Sequence, residues 1–279
     1  MRLKAVESAE VMSAIGVERD VKVRPRWRSV AIPSEHGGWG LTLEPVVLGL
    51  LVAPSLAGLA LGVAAFTAFL LRTPAKLIAV DVRRGRWLDR TRLAVLVVIA
   101  ETALLACAVA VAVALAGSTW LVPMVIAAPL IAVEFSFDIR SRGRRLIPEL
   151  CGAVGISAVA ASIVIVAGQE GALAAGLWLV LAARVVGAIP FVRVQIVRLR
   201  RGRGPVWQSD LAQAASVFVA TAAVVADRRM VLGALGVAVL AAAQGVWVRR
   251  PPMPAKQIGL RQMGMGLALV AVTAVGVLW

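Results

Sequence analysis

The sequence predicts an all-α protein: a polytopic membrane helix bundle of about nine transmembrane helices with a cytoplasmic N-terminus. Three observations predict it. The 279-residue chain is 60% hydrophobic and only 16% charged, against roughly 25% charged in soluble proteins. It contains repeated apolar runs of about 18 residues or more, enough to cross a bilayer core as a helix. Its Lys and Arg side chains gather in short segments between those runs, the pattern that keeps basic loops in the cytoplasm. Continuous apolar runs also exclude a β-barrel, whose alternating strands give far weaker hydropathy.

Each element follows in order. Residues 1–30 carry seven basic and four acidic side chains and no long apolar run, so they read as a basic cytoplasmic tail, partly disordered. Residues 31–279 read as one transmembrane helical domain. From Gly37 to Leu71 the only charge is Glu44. One helix over that stretch would be about 52 Å long, against a core of about 30 Å. Pro54 and Ser55 offer a turn, which divides it into helices over 38–53 and 56–71. Apolar runs then predict helices over 93–116, 119–137, 147–167, 171–197, 210–226, 229–248 and 262–279. Nine helices leave only Arg228 and Arg229 outside. Eight would put the basic tail and the basic 72–92 segment on opposite sides, so the positive-inside rule selects nine. The expected location is the cell membrane, multi-pass, as in a bacterial inner or plasma membrane.

The net charge of +15 resembles a nucleic-acid footprint, but its confinement to inter-helix segments makes it a topology signal. No nucleic-acid partner is expected. With one histidine and two cysteines in apolar surroundings, no metal centre or disulfide framework is expected. No phosphate-cradling glycine motif of a nucleotide-driven pump is present, and no cofactor is called for.

Ionisable side chains inside membrane segments are costly and mark functional candidates. Glu35 and His36 stand before a Gly-Gly pair at the start of the first helix, and His36 is the one histidine available for proton exchange near neutral pH. Arg72, Asp81 and Arg84 belong to a basic segment that reads either as a solvated loop or as an anion-binding cap, with Asp81 orienting the arginines. Glu134, Asp138 and Arg142 recur at i, i+4 and i+8, one face of a helix. Glu149 begins the following helix. Arg184 lies deep among apolar residues, must meet an acid or a ligand, and is followed by Arg193. Glu44, Glu101 and Glu134 are its candidate partners. The candidate catalytic groups are Glu35, His36, Asp81 and Asp138. The candidate substrate-binding groups are Arg72, Arg84, Arg142, Arg184 and Arg193, with Glu44, Glu101, Glu134 and Glu149 as intramembrane polar residues.

The stretch Ile32-Pro33-Ser34-Glu35-His36-Gly37-Gly38-Trp39-Gly40, with Arg72-Thr73-Pro74 and Asp81-x-Arg-Arg-Gly-Arg, resembles the YwiC-like family of bacterial multi-pass membrane proteins. A weaker likeness, in helix count and loop placement, is to UbiA-type intramembrane prenyltransferases, through Phe135-Ser136-Phe137-Asp138-Ile139-Arg140 and the Gly-rich helix behind it. Those enzymes bind isoprenoid diphosphate through Mg²⁺ on two aspartate-rich motifs. Here the first place offers Asp81 and Asp89, eight apart, and the second offers Arg193 to Arg203 with no acid before Asp210. The expectation is therefore an Arg-rich, cytoplasm-facing cavity that binds a membrane lipid with a phosphorylated or anionic group, without the metal. The alternative is a secondary transporter or permease for a small anion or metabolite.

Overall fold

The computed structural model describes residues 26–33, 36–140 and 145–279. A six-residue helix α1 (Arg26–Ala31) precedes nine longer ones: α2 (His36–Val52), α3 (Leu56–Arg83), α4 (Asp89–Ala116), α5 (Leu121–Ile139), α6 (Leu146–Val166), α7 (Gly171–Arg201), α8 (Val206–Ala226), α9 (Val231–Trp247) and α10 (Ala255–Leu278). The described residues contain no strand. Eight of these segments are long and apolar enough to cross a membrane, and α2 is a shorter apolar ninth.

The turns form where the sequence places them. Ser55 caps α3 by accepting a hydrogen bond from the Gly58 amide at 3.0 Å. Gly117 and Gly168 close the next turns of this end with φ of 71° and 80°, a conformation that costs glycine nothing. The boundaries at the other end differ from the apolar runs. α3 continues to Arg83, so much of the basic 72–92 segment is helix rather than loop, and α7 continues to Arg201. Hydropathy marks what lies in hydrocarbon, whereas helical hydrogen bonding continues beyond it. Arg26–Ala31 is likewise helical and packs on α3 and α4, although it falls in the segment read as tail. Residues 1–25 lie outside the described residues.

α7 is the hub, touching α2, α6, α8, α9 and α10, and α6 joins it to α2, α3 and α5. Their interface forms the main apolar core, with Leu48, Val164, Leu173, Leu177, Val180 and Met230 almost fully buried. α4 and α5 are the least covered of the spanning segments, so their apolar outer faces meet lipid. One end of the bundle collects the basic segments and is tied together across helices. There Arg83 Nη1 donates to the Ile139 carbonyl at 3.2 Å, Gln195 Nε2 donates to the Trp247 carbonyl at 2.9 Å, and Arg249 pairs with Asp210 at 2.8 Å. At the opposite end Ser162 Oγ donates to the Trp120 carbonyl at 2.9 Å.

Candidate functional site

Two polar constellations stand inside this frame. The first, at the basic end, spans α3 and α5. Glu134 and Asp138 are one turn apart on α5, which puts both carboxylates toward α3. Arg72 donates through Nη1 to Glu134 at 2.8 Å and through Nη2 to Asp138 at 2.6 Å. Lys76, one turn after Arg72, donates to the other Asp138 oxygen at 3.1 Å. Asp138 is 1% exposed, while Arg72 and Lys76 remain half-buried. A buried carboxylate thus fixes two cations whose outer faces reach the surface. Behind them, Glu134 lies against Gly152 of α6, where a Cβ would overlap its carboxylate. One turn before Gly152, Glu149 pairs with Arg193 of α7 at 2.8 Å. The result is a charged rim running across four helices.

The second constellation is in the bundle core. Arg184 and Glu44 are 4% and 3% exposed, and Arg184 Nη2 stands 3.6 Å from Glu44 Oε1. The same nitrogen donates to the Gln262 carbonyl at 2.7 Å. Glu44 rests on Gly266 of α10, another position where a Cβ would overlap a carboxylate. Arg184 Nε and Nη1 have no hydrogen-bond partner, and neither has the Gln262 side-chain amide. Arg184 also lines a small cavity with Gly187, Gln213, Ser216, Val237 and Gln244. Gln213 Nε2 spans that cavity's wall, donating to the Gly187 carbonyl at 3.0 Å and to Gln244 Oε1 at 3.1 Å.

The remaining candidates fall elsewhere. Asp81 is buried, but it orients Arg90 and not Arg84: Arg90 grips it through Nε and Nη2 at 3.2 and 2.8 Å, and Thr91 Oγ1 donates to it at 2.8 Å. Asp81 therefore staples the end of α3 to the start of α4. Arg84 is exposed beyond it. Glu101 sits half-buried on α4 with Oε2 unpartnered, so Glu44, not Glu101 or Glu134, is the acid beside Arg184. Glu35, Arg142 and the His36 side chain lie outside the described residues. Sequence reasoning passed over Gln213, Gln244 and Gln262. Amides within apolar helices were the available signal, because such groups need partners across helices.

With this geometry in place, comparison with known proteins adds a family. The model of the YwiC-like protein family matches residues 32–164. Over that stretch the chain is similar to the YwiC-like family. No curated protein and no solved structure matches, so the likeness to UbiA-type enzymes finds no support. The YwiC-like stretch spans α2 to nearly the end of α6 and contains the whole Arg72–Lys76–Glu134–Asp138 rim. It also supplies Glu44, whereas Arg184, Gln213, Gln244 and Gln262 come from helices beyond it. The chain is an integral, multi-pass membrane protein.

Proposed function

We propose that this protein binds a membrane lipid with a phosphorylated or anionic headgroup at the Arg72–Lys76 rim, with its basic end in the cytoplasm. One observation carries the reading. Buried Asp138 holds Arg72 and Lys76 side by side between α3 and α5, and α5 is among the helices least covered by protein. A headgroup can reach the rim sideways from the bilayer. Lys76 spends one of its three N–H donors on Asp138, which leaves two for a phosphate oxygen. Exposed Arg83, Arg84, Arg86 and Arg140 surround the same end and add a surface attraction worth about 1 kcal/mol per charge at an anionic membrane. The small-anion or metabolite permease is a second reading, favoured by the buried Arg184–Glu44 pair.

The test uses purified full-length protein in nanodiscs of zwitterionic lipid doped with phosphatidylglycerol or phosphatidic acid. Binding by mass action should raise the melting temperature. Lys76→Gln should remove most of that shift, and Arg229→Gln, at the opposite end, should not. A shift of the same size in wild type and Lys76→Gln would overturn the reading.

A further inference from the structure

We propose that the seam between α7–α8 and α9–α10 is a gate, separate from the lipid-binding rim: a second arrangement of these helices opens it from the basic end and fills it with water as far as Arg184 and Glu44. Unmet hydrogen bonding collects along this seam. Buried polar groups are nearly always satisfied, and each exception calls for a physical reason. Among the described residues, seven buried side-chain atoms lack a partner, and six of them belong to Arg184, Gln195, Ser209 and Gln262. None of the six has surface open to water in this arrangement, so an ordered water beside them is not the reason. A different packing of the same helices is, because only a movement of the walls brings water to these atoms.

The seam is polar on one side of a sharp boundary. Ser209, Gln213 and Ser216 recur at i, i+4 and i+7, which puts them on one face of α8, and all three are buried. That face looks into the seam, since Gln213 donates to the Gly187 carbonyl of α7 and to Gln244 of α9. Ser216 shares with Arg184 the wall of the small cavity between the three helices. One turn deeper on the same face, polarity stops. Ala220 belongs to the main apolar core with Leu177, Val180 and Met230. The polar strip thus runs from the basic end to the level of Arg184 and meets an apolar seal. Water entering from the basic end goes no further.

The ties across the mouth of the seam are weak ones. Asp210 of α8 pairs with Arg249, just past α9, and both are exposed, where an ion pair contributes little. Arg198 of α7 donates to the carbonyls of Val248 and Arg250, bonds that water at the bundle end replaces. Within α7, Pro190 lies between Gln195 and Arg184 and removes the hydrogen bond that the Val186 carbonyl would otherwise receive. The basic end of α7 therefore tilts from α9 without breaking a helical bond at that point. Opening exchanges these ties for hydration of six stranded atoms and of a guanidinium–carboxylate pair held at 3.6 Å. It brings no new charge into the core, because Arg184 and Glu44 balance each other. Apolar residues beside the strip lose contacts on opening, which keeps the closed arrangement the resting one.

The experiment follows the reaction of single cysteines with a charged methanethiosulfonate, using full-length protein in zwitterionic nanodiscs with Cys107→Ala and Cys151→Ala in place. The reagent attacks the thiolate, which a sulfur in dry apolar surroundings does not form. Ser216→Cys and Ala220→Cys stand one turn apart on the same face, and both positions are 1% exposed. A static bundle leaves them equally inert. With the gate, Ser216→Cys should react about tenfold or more faster than Ala220→Cys, because exposing Ala220 requires the apolar seal to break as well. Asp210→Ala should raise the Ser216→Cys rate about two- to fivefold, the range that an exposed ion pair holds shut, and leave Ala220→Cys unchanged. Lys76→Gln, which tests the lipid site, should change neither rate. Equal rates for the two cysteines, a Ser216→Cys rate indifferent to Asp210→Ala, or a rise of both rates by the same factor would overturn the gate.

Discussion

The rim arginine and the core arginine meet the same kind of acid in opposite conditions. Glu134 and Glu44 each rest on a glycine of a neighbouring helix, and each faces an arginine from another helix. At the rim, Arg72 reaches two carboxylates at 2.8 and 2.6 Å, and water is close enough to share the load. In the core, Arg184 reaches one carboxylate at 3.6 Å, and water is excluded. The rim is well paired and wet, so its charges cost little and hold helices in place. The core is dry and short of partners, so its charges carry a standing cost. That cost is the physical reason why the core depends on its one ion pair more than the rim depends on any of its own.

The largest expected effect breaks this contrast directly. Arg184→Ala strands Glu44 in the interior and should cost about 3–5 kcal/mol, read from unfolding in mixed micelles. Arg201→Ala, exposed at the end of α7, should stay within about 0.5 kcal/mol. Comparable losses in the two variants would mean that Arg184 is not an interior charge.

The glycines sharpen it next. Gly266→Ala drives a methyl into the Glu44 carboxylate, which is enclosed and cannot retreat, and should cost about 2–3 kcal/mol, the upper part of the usual overpacking range. Gly152→Ala meets Glu134 in the same manner, but that side chain is less enclosed and can swing outward, so the loss should be about 1 kcal/mol. A reversed order in thermal melts would contradict the assignment of wet and dry sites.

Asp138→Asn comes third. The amide keeps the shape but not the charge that holds Arg72 and Lys76. Because both cations can turn to water, the loss should be only about 1–1.5 kcal/mol, with the phosphatidic acid response falling more than the stability does. Stability that falls by as much as in Arg184→Ala would make the rim a buried site.

Much of this was legible before any coordinates. Proline and serine at 54 and 55 marked the first turn, the breaks between apolar runs placed the turns that Gly117 and Gly168 close, and charge parity separated α2 from α3. The depth of Arg184 among apolar residues announced an interior charge. What the sequence withheld was pairing. Glu44, Glu101 and Glu134 all lie on apolar helices, and only the packing of α2 and α10 on α7 selects Glu44. Likewise Asp81 and Asp138 look alike as acids within basic segments. The i to i+9 return through the α3–α4 turn gives Asp81 to Arg90, whereas Asp138 takes Arg72 and Lys76 from a helix 62 or more residues away in sequence.

The smallest effect supplies the reference for both sites. At the opposite end, Arg229 donates to both oxygens of Asp227, with a closest approach of 2.6 Å, and this holds the Asp227 carboxyl below its ordinary value, partly offset by desolvation. A depressed carboxyl contributes stability that is present above the unfolded-state value and is lost as pH falls through the folded-state value. Wild type should therefore lose its small advantage over Asp227→Asn only below about pH 4, near the ordinary aspartate value. Since Arg229 is exposed, the advantage at neutral pH should not exceed about 1 kcal/mol. Melting temperatures of the two proteins across an acid series measure it. An advantage as large as that of Arg184 would show that geometry alone sets the worth of an ion pair here. A small one that vanishes in acid leaves burial as the variable separating this pair, the rim and the core.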